Sequence, residues 1–210
     1  KVNPMAKFTG PKGKVVRRFG ANIYGNPKYD RLLQRRSDAP GQRGAKRAFG
    51  RASEYTLQLI EKQKLRLSYG LLEKQFRRVF RKSRQMPGAT GENLLVLLET
   101  RLDTLVFRAG LGCTMMQARQ LVNHGHLKVN GRRVDIASYQ VKTGDTITAR
   151  DNDGTRILVG RYLEENRRFS TAGWFTVDKP ALQIKVNRLP QRDEIPHTAD
   201  EKMIIEFYSK

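Results

Sequence analysis

Few side chains in this chain stand in a pattern that could run a reaction. Cys113 is the only cysteine, so no disulfide can close within the chain and no zinc site can rest on several cysteines. Between Gly112 and Thr114 it reads as a small apolar residue at a turn, because a reactive thiolate needs a histidine partner and an electropositive pocket. His124 and His126 flank Gly125 with no cysteine or carboxylate cluster beside them, which is poor spacing for a metal. Gly110-Leu111-Gly112-Cys113-Thr114-Met115 starts like a dinucleotide-binding turn. Yet Met115 stands where the third glycine belongs, and a helical pattern precedes it where a strand is needed. The sequence has no GxxxxGK[ST] phosphate loop. It reads as that of a non-enzyme.

Positive charge is what the chain has in abundance. Lys and Arg number 41 against 20 Asp and Glu, a net of +21. Such a balance points to a strongly acidic partner, and nucleic acid fits first because neutralising phosphates releases counterions. The excess is uneven: residues 1 to 51 hold 14 basic and 2 acidic side chains, whereas residues 161 to 210 hold 9 and 8. A Gly- and Pro-containing start of that charge cannot pack a core of its own. An arm that orders along a phosphate backbone is expected, with Phe8, Phe19, Tyr24, Tyr29 and Phe49 placed to stack on bases or dock it. No apolar run approaches the roughly 18 residues that span a bilayer. The opening KVNPMAKFTG has no apolar block behind its charge, as a secretory signal would. A soluble protein of a reducing compartment is expected, with no membrane partner and no small-molecule substrate.

The elements that must position these charges follow from periodicity. Ser53 is a good N-cap for a helix over 54 to 69, with Leu57, Ile60 and Leu65 on one side and Gly70 as its stop. Leu72, Phe76, Val79 and Phe80 mark a second helical face, opposite Arg77, Arg78, Arg81, Lys82 and Arg84; Met86-Pro87-Gly88 ends it. Leu94, Leu98, Leu102 and Leu105 predict one helix from Thr90 to Gly110. Thr114 opens a shorter one, with Gln117 placed for a capping box and Gly125 as its end. At Leu127 the period becomes two, and Asn130-Gly131 is a hairpin signal because a type I′ turn needs positive φ at both positions. Arg132-Arg133 returns on the partner strand, and Thr143-Gly144-Asp145 turns into the strand Thr146 to Ala149. Trp174 and Phe175 read as a packing anchor for the last segment.

Here the residues meet a family. RLDTLVFRAG at 101–110, TMMQARQLVNHGHLKVNGRRVDI at 114–136 and the turn at Gly144-Asp145 resemble the small RNA-binding domain named after ribosomal protein S-four. That domain also occurs in RNA-modifying enzymes, tyrosyl-tRNA synthetases and a heat-shock protein, so the rest of the chain decides. TGPKGKVVRR at 9–18, APGQRG at 39–44, EKQKLRLSYGLLEKQFR at 61–77, TGENLLVLLETRLD at 90–103 and the final IIEFYSK are similar to bacterial-type small-subunit ribosomal protein S-four. The match runs in order along essentially the whole chain, with 20–38 and 151–180 matched least.

The resemblance implies an α+β fold: a helical domain, an inserted helix-helix-β-hairpin RNA-binding module and an extended basic N-terminal arm. The expected domains are 1–52 for the arm, 53–97 completed by 178–210 for the helical part, and 98–177 for the module with its linker. It further implies a structural constituent of the small ribosomal subunit, cytoplasmic and within the 30S particle. Such a protein binds 16S rRNA directly and early in assembly, contacts ribosomal protein S-five and contributes to decoding accuracy. It also lines the channel through which mRNA enters. Many relatives hold zinc on cysteines of the arm; here TGPK is followed by Gly13 and the arm has no cysteine, so no zinc and no other cofactor are expected. Two other classes carry the same module. A free-standing RNA-binding or chaperone protein would not need the long basic arm, and an RNA-modification factor would need a catalytic domain for which 210 residues leave no room.

A-form RNA hides its base edges in a deep, narrow major groove, so junctions are held through backbone and shape, and arginine's fork can pair two phosphate oxygens. The residues expected to touch RNA are Arg17, Arg18, Arg43, Lys46, Arg47 and Arg51 in the arm, and Lys62, Arg66, Arg77, Arg78 and Arg81 on the basic helices. In the module they are Arg101, Arg108, Arg119, Gln120, Lys128, Asn130, Arg132 and Arg133. Arg101 and Arg108 are expected to share one helix face, two turns apart. By resemblance, Lys46, Arg47 and Arg51 align with residues facing mRNA.

Overall fold

A computed structural model describes residues 8–41, 53–166, 172–197 and 199–209. The chain divides into two compact units, residues 1–81 with 197–210 and residues 82–196.

In the first unit, α1 (Lys12–Phe19) follows Pro11, and α2 (Pro27–Arg35) starts on Asn26, whose side chain accepts from the Lys28 amide. Pro27 occupies the first helical position, where its missing N–H is not needed. α3 (Glu54–Ser68) is capped by Ser53, which accepts from the Thr56 amide. α4 (Glu73–Gln85) and α9 (Glu201–Ser209) complete the helices, and the division between the units falls within α4. Gln58 of α3 donates to Glu206 of α9 at 3.0 Å, and Glu61 accepts from the Asp200 amide at 3.0 Å. Tyr208 stacks on Phe80 with 4.5 Å between centroids.

Residues 8–41 are not the extended arm that composition suggests. Val16 and Ile23 are buried, and Phe8, Val15 and Phe19 line one hollow with Leu59, Ile60 and Leu67 of α3. The few apolar side chains of the arm suffice because α3 supplies the other wall. Phe49 lies outside the described residues.

The second unit holds α5 (Thr90–Glu99), α6 (Leu102–Arg108), α7 (Met115–Asn123), β1 (Leu127–Val129), β2 (Arg132–Arg133), β3 (Thr146–Ala149), α8 (Asp153–Glu165), β4 (Phe175–Asp178) and β5 (Gln183–Val186). The sheet runs in the order β2-β1-β3-β5-β4 with every neighbouring pair antiparallel. Its core joins Leu102, Leu105 and Val106 to Leu121, Leu127, Ile147, Ile184, Trp174 and Phe175, all buried. The α+β class holds.

Three expectations need correction. The single helix over 90–110 is two, because a passing segment takes the backbone groups at residues 100 to 103. Val141 donates to the Thr100 carbonyl at 2.8 Å, and the amides of Leu102 and Asp103 donate to Tyr139 and Ala137 at 2.8 and 3.2 Å. Arg101 is therefore extended and starts α6 instead of continuing α5. Second, the boundary expected at 177/178 falls inside the β4–β5 hairpin, so residues 178–196 complete the sheet instead of the helical unit. Residues 82–97, expected in the helical domain, also belong to the second unit. Third, α3 exposes Leu57 and buries Gln58 and Lys62, whose polar ends find carboxylates.

Candidate nucleic-acid interface

The hairpin of the second unit is built as its sequence demands. Asn130 and Gly131 both take positive φ, +49° and +78°, the pair a type I′ turn requires. The turn leaves Arg132 and Arg133 exposed on β2. Asn130 is exposed at the turn and also bonds within the fold: its amide nitrogen donates to Asp145 at 2.8 Å and its oxygen accepts from the Thr146 amide at 2.9 Å. It pins the hairpin to the turn before β3, and one N–H of its amide remains for another partner. Lys128 pairs with Asp151 at 2.7 Å on the surface, a contact of little strength in water.

Thr114 caps α7 by accepting from the Gln117 amide at 3.2 Å, the forward half of the capping box. Gln120 is exposed on that helix, while its neighbour Arg119 is buried. Arg119 reaches Asp103 at 2.7 Å, and Arg101 holds the same carboxylate at 2.9 Å. Arg108 forks onto the buried Glu99 at 2.6 Å. Arg101 and Arg108 thus serve two separate acids and do not share a helix face. These three arginines have protein partners, and sequence spacing could not show it.

In the first unit α4 behaves as read. Phe76 and Phe80 are buried, and Arg77, Arg78 and Arg81 are exposed on the other side. Lys62 is buried against Glu73 at 3.0 Å, with Arg66 3.7 Å from the same carboxylate. Burial, the largest single influence, pushes the Glu73 carboxyl up, but hydrogen bonds from Lys62 and Tyr208 and the charges of Lys62 and Arg66 overcome it and hold the group low. Arg17 donates to the Asp38 carbonyl at 2.9 Å and ties the segment after α2 to α1, while Arg18 is exposed. Arg43, Lys46, Arg47 and Arg51 lie outside the described residues. The sequence holds one cysteine, and among the described residues no group of three or more His, Cys, Asp or Glu could hold a metal ion. No described helix is long and apolar enough to cross a membrane.

Sequence reasoning weighed His124 and His126 only as metal ligands and did not single out Arg150. The three meet beside Arg133, and the signal available was His-Gly-His where a helix gives way to a strand.

The sequence matches two family models in succession: the Ribosomal protein S4/S9 N-terminal domain over residues 7–99 and the S4 domain over residues 100–147. The chain is 50% identical over 206 residues to the small ribosomal subunit protein uS4 of Opitutus terrae, covering 98% of this chain and all of that protein. It is 46% identical over 202 residues to the uS4 protein of Borrelia turicatae, covering 95% of this chain and 96% of the relative. The chain belongs to the uS4 family. The uS4 protein of a Geobacillus species is 46% identical over 206 residues, again along 98% of this chain. The first family model also covers 20–38, the stretch that carries α2 and is one of the two least similar to the family in sequence. The exposed arginines of α4 and of the hairpin are among the described cations that have no buried counter-charge, whereas Arg101, Arg108 and Arg119 each hold a buried carboxylate.

Proposed function

We propose that this chain is a structural constituent of the small ribosomal subunit that binds rRNA directly and performs no catalysis. The observation that carries the reading is the split face of α4: Phe76 and Phe80 are buried, while Arg77, Arg78 and Arg81 stand in solvent. A helix that fixes one side in a core and offers three guanidiniums on the other is suited to a phosphate backbone, where each fork can pair two oxygens. The hairpin arginines Arg132 and Arg133 give the second unit a matching contact. On this reading the RNA is 16S rRNA, bound early in assembly in the cytoplasm. The finer roles follow the family: contact with ribosomal protein S-five, a contribution to decoding accuracy, and contact of Lys46, Arg47 and Arg51 with mRNA entering the 30S subunit. Sedimentation tests the reading. The tagged protein is expected to co-migrate with 30S particles in a sucrose gradient and to stay with them through a high-salt wash; recovery only at the top of the gradient would rule the reading out.

A further inference from the structure

α7 ends at Asn123, His124 caps it, and Gly125 turns the chain toward β1 with a φ of +69°. A Cβ at residue 125 would collide with the Arg133 guanidinium, so only glycine lets that arginine lie across the turn. The rings of His124 and His126 stack with centroids 6.1 Å apart and planes 26° from parallel. Nδ1 of His126 lies 2.9 Å from the Thr155 hydroxyl of α8, which fixes the ring and leaves Nε2 as its other polar atom. Arg150, just after β3, is tied to the same spot, since its amide donates to the His126 carbonyl at 2.8 Å. The end of α7, β2, the end of β3 and the start of α8 therefore converge on one small patch of surface.

Among the described residues, the charges that act on His126 all have one sign. Desolvation acts first, followed by His124, Arg150 and Arg133, and together they hold its pKa below the ordinary histidine value. The neighbouring Asp151 is engaged by Lys128, with Arg156 also acting on it. Two arginines and two imidazoles gather here with no carboxylate paired to any of them among the described residues, which leaves a place for an anion.

We propose that His126, Arg133 and Arg150, with His124 behind them, form a seat for one RNA phosphodiester, and that His126 takes up a proton when it is filled. The proposal rests on the rRNA-binding reading and adds to it a site and a pH dependence. A phosphate between the two guanidiniums replaces repulsion at the ring by attraction, so the bound form favours the imidazolium. The sign follows: the complex binds more protons than the free protein. Affinity therefore rises as pH falls through the bound pKa of His126, and levels off below its free pKa. One proton is worth up to about tenfold per pH unit across that window.

The test uses the full chain and a transcript of the 5′ domain of small-subunit rRNA at fixed ionic strength. Kd is measured from pH 8 to pH 6, and the histidine ring protons are followed by NMR with and without RNA. The chain has three histidines, and His197, paired with Glu201 in the other unit, is the internal control. Expected are tighter binding at pH 6 and an upward shift of the His126 titration on adding RNA, with His197 unmoved. His126→Gln should bind as tightly at pH 6 as at pH 8. Tight binding without pH dependence, and with His126 titrating as in the free protein, would overturn the seat and leave the rRNA reading standing. An absence of binding at every pH would remove both.

Discussion

Arg119 of α7 reaches across the module and binds the carboxylate of Asp103 on α6 at 2.7 Å, with both side chains buried. Arg101 holds the same carboxylate at 2.9 Å, and the Thr104 amide donates to it at 3.0 Å. One acid thus joins the start of α6 to the middle of α7. Its removal leaves two guanidiniums out of water without a counter-charge, the situation in which a broken buried pair is most costly.

Asp103→Asn is therefore expected to lower stability by about 3–5 kcal/mol, read from urea unfolding. Arg119→Met should cost less, because Asp103 keeps Arg101. In a binding assay on folded protein, Arg119→Met should leave RNA affinity within about twofold of the parent, a difference of under 0.5 kcal/mol. A large loss of affinity at unchanged stability would return Arg119 to the RNA surface.

The contrast between Arg119 and Arg133 shows what a sequence makes legible. Ser53, Thr114, Asn130-Gly131 and the stop at Gly125 were readable because caps and tight turns are decided by neighbours in the chain. The face of α4 was readable because its period is regular. Arg101, Arg108 and Arg119 carry the same charge as their exposed counterparts, and their acids are chosen by tertiary structure. The break at Thr100-Arg101 was hidden for the same reason, since residues 137–141 cause it. α8 and β4 fall within residues 151–180, one of the two stretches least similar to the family, and the placing of β4 in the sheet depends on β5, which pairs with β3.

Glu73 links α4 to α9 by accepting from the Tyr208 hydroxyl at 2.9 Å and from Lys62 at 3.0 Å. Burial first, and then the Glu73 carboxylate, push the Tyr208 hydroxyl well above its ordinary pKa, so it remains a donor through the working pH range. Tyr208→Phe should cost about 1.5 kcal/mol near pH 7, the worth of a hydrogen bond to a charged group. Because the folded pKa of Glu73 is depressed, its contribution is present above the unfolded value and is lost as pH falls through the folded one. The gap between Tyr208→Phe and the parent should therefore narrow on acidification below about pH 4. Urea titrations at pH 7 and pH 3.5 read both, and a gap that widens in acid would contradict the assigned partner.

Phosphate contact by the hairpin carries a salt signature. Arg132→Ala with Arg133→Ala should weaken binding to the rRNA transcript about tenfold or more, with cooperative unfolding intact, because both side chains are exposed. Parent affinity should fall steeply between about 50 and 200 mM salt, and the double variant should show a slope shallower by up to about two. Equal slopes for the two proteins would remove these arginines from the phosphate contact.

The arm supplies the last prediction. Lys46, Arg47 and Arg51 follow APGQRG in the most basic quarter of the chain, where residues 1 to 51 carry 14 basic side chains against 2 acidic ones. A cationic rim can hold one mRNA strand by its phosphates and disfavour re-pairing with no chemistry of its own. If all three residues merely neutralise rRNA, their removal should slow every message alike. If they hold mRNA, the loss should be selective. Ribosomes carrying alanine at the three positions are expected to assemble normally and to translate an unstructured message at the parental rate. On a message with a stable downstream hairpin they should slow several-fold. The ratio of the two rates, measured in a purified translation system, isolates the strand-holding role from anchoring, and an unchanged ratio leaves rRNA anchoring as the only work of these three side chains.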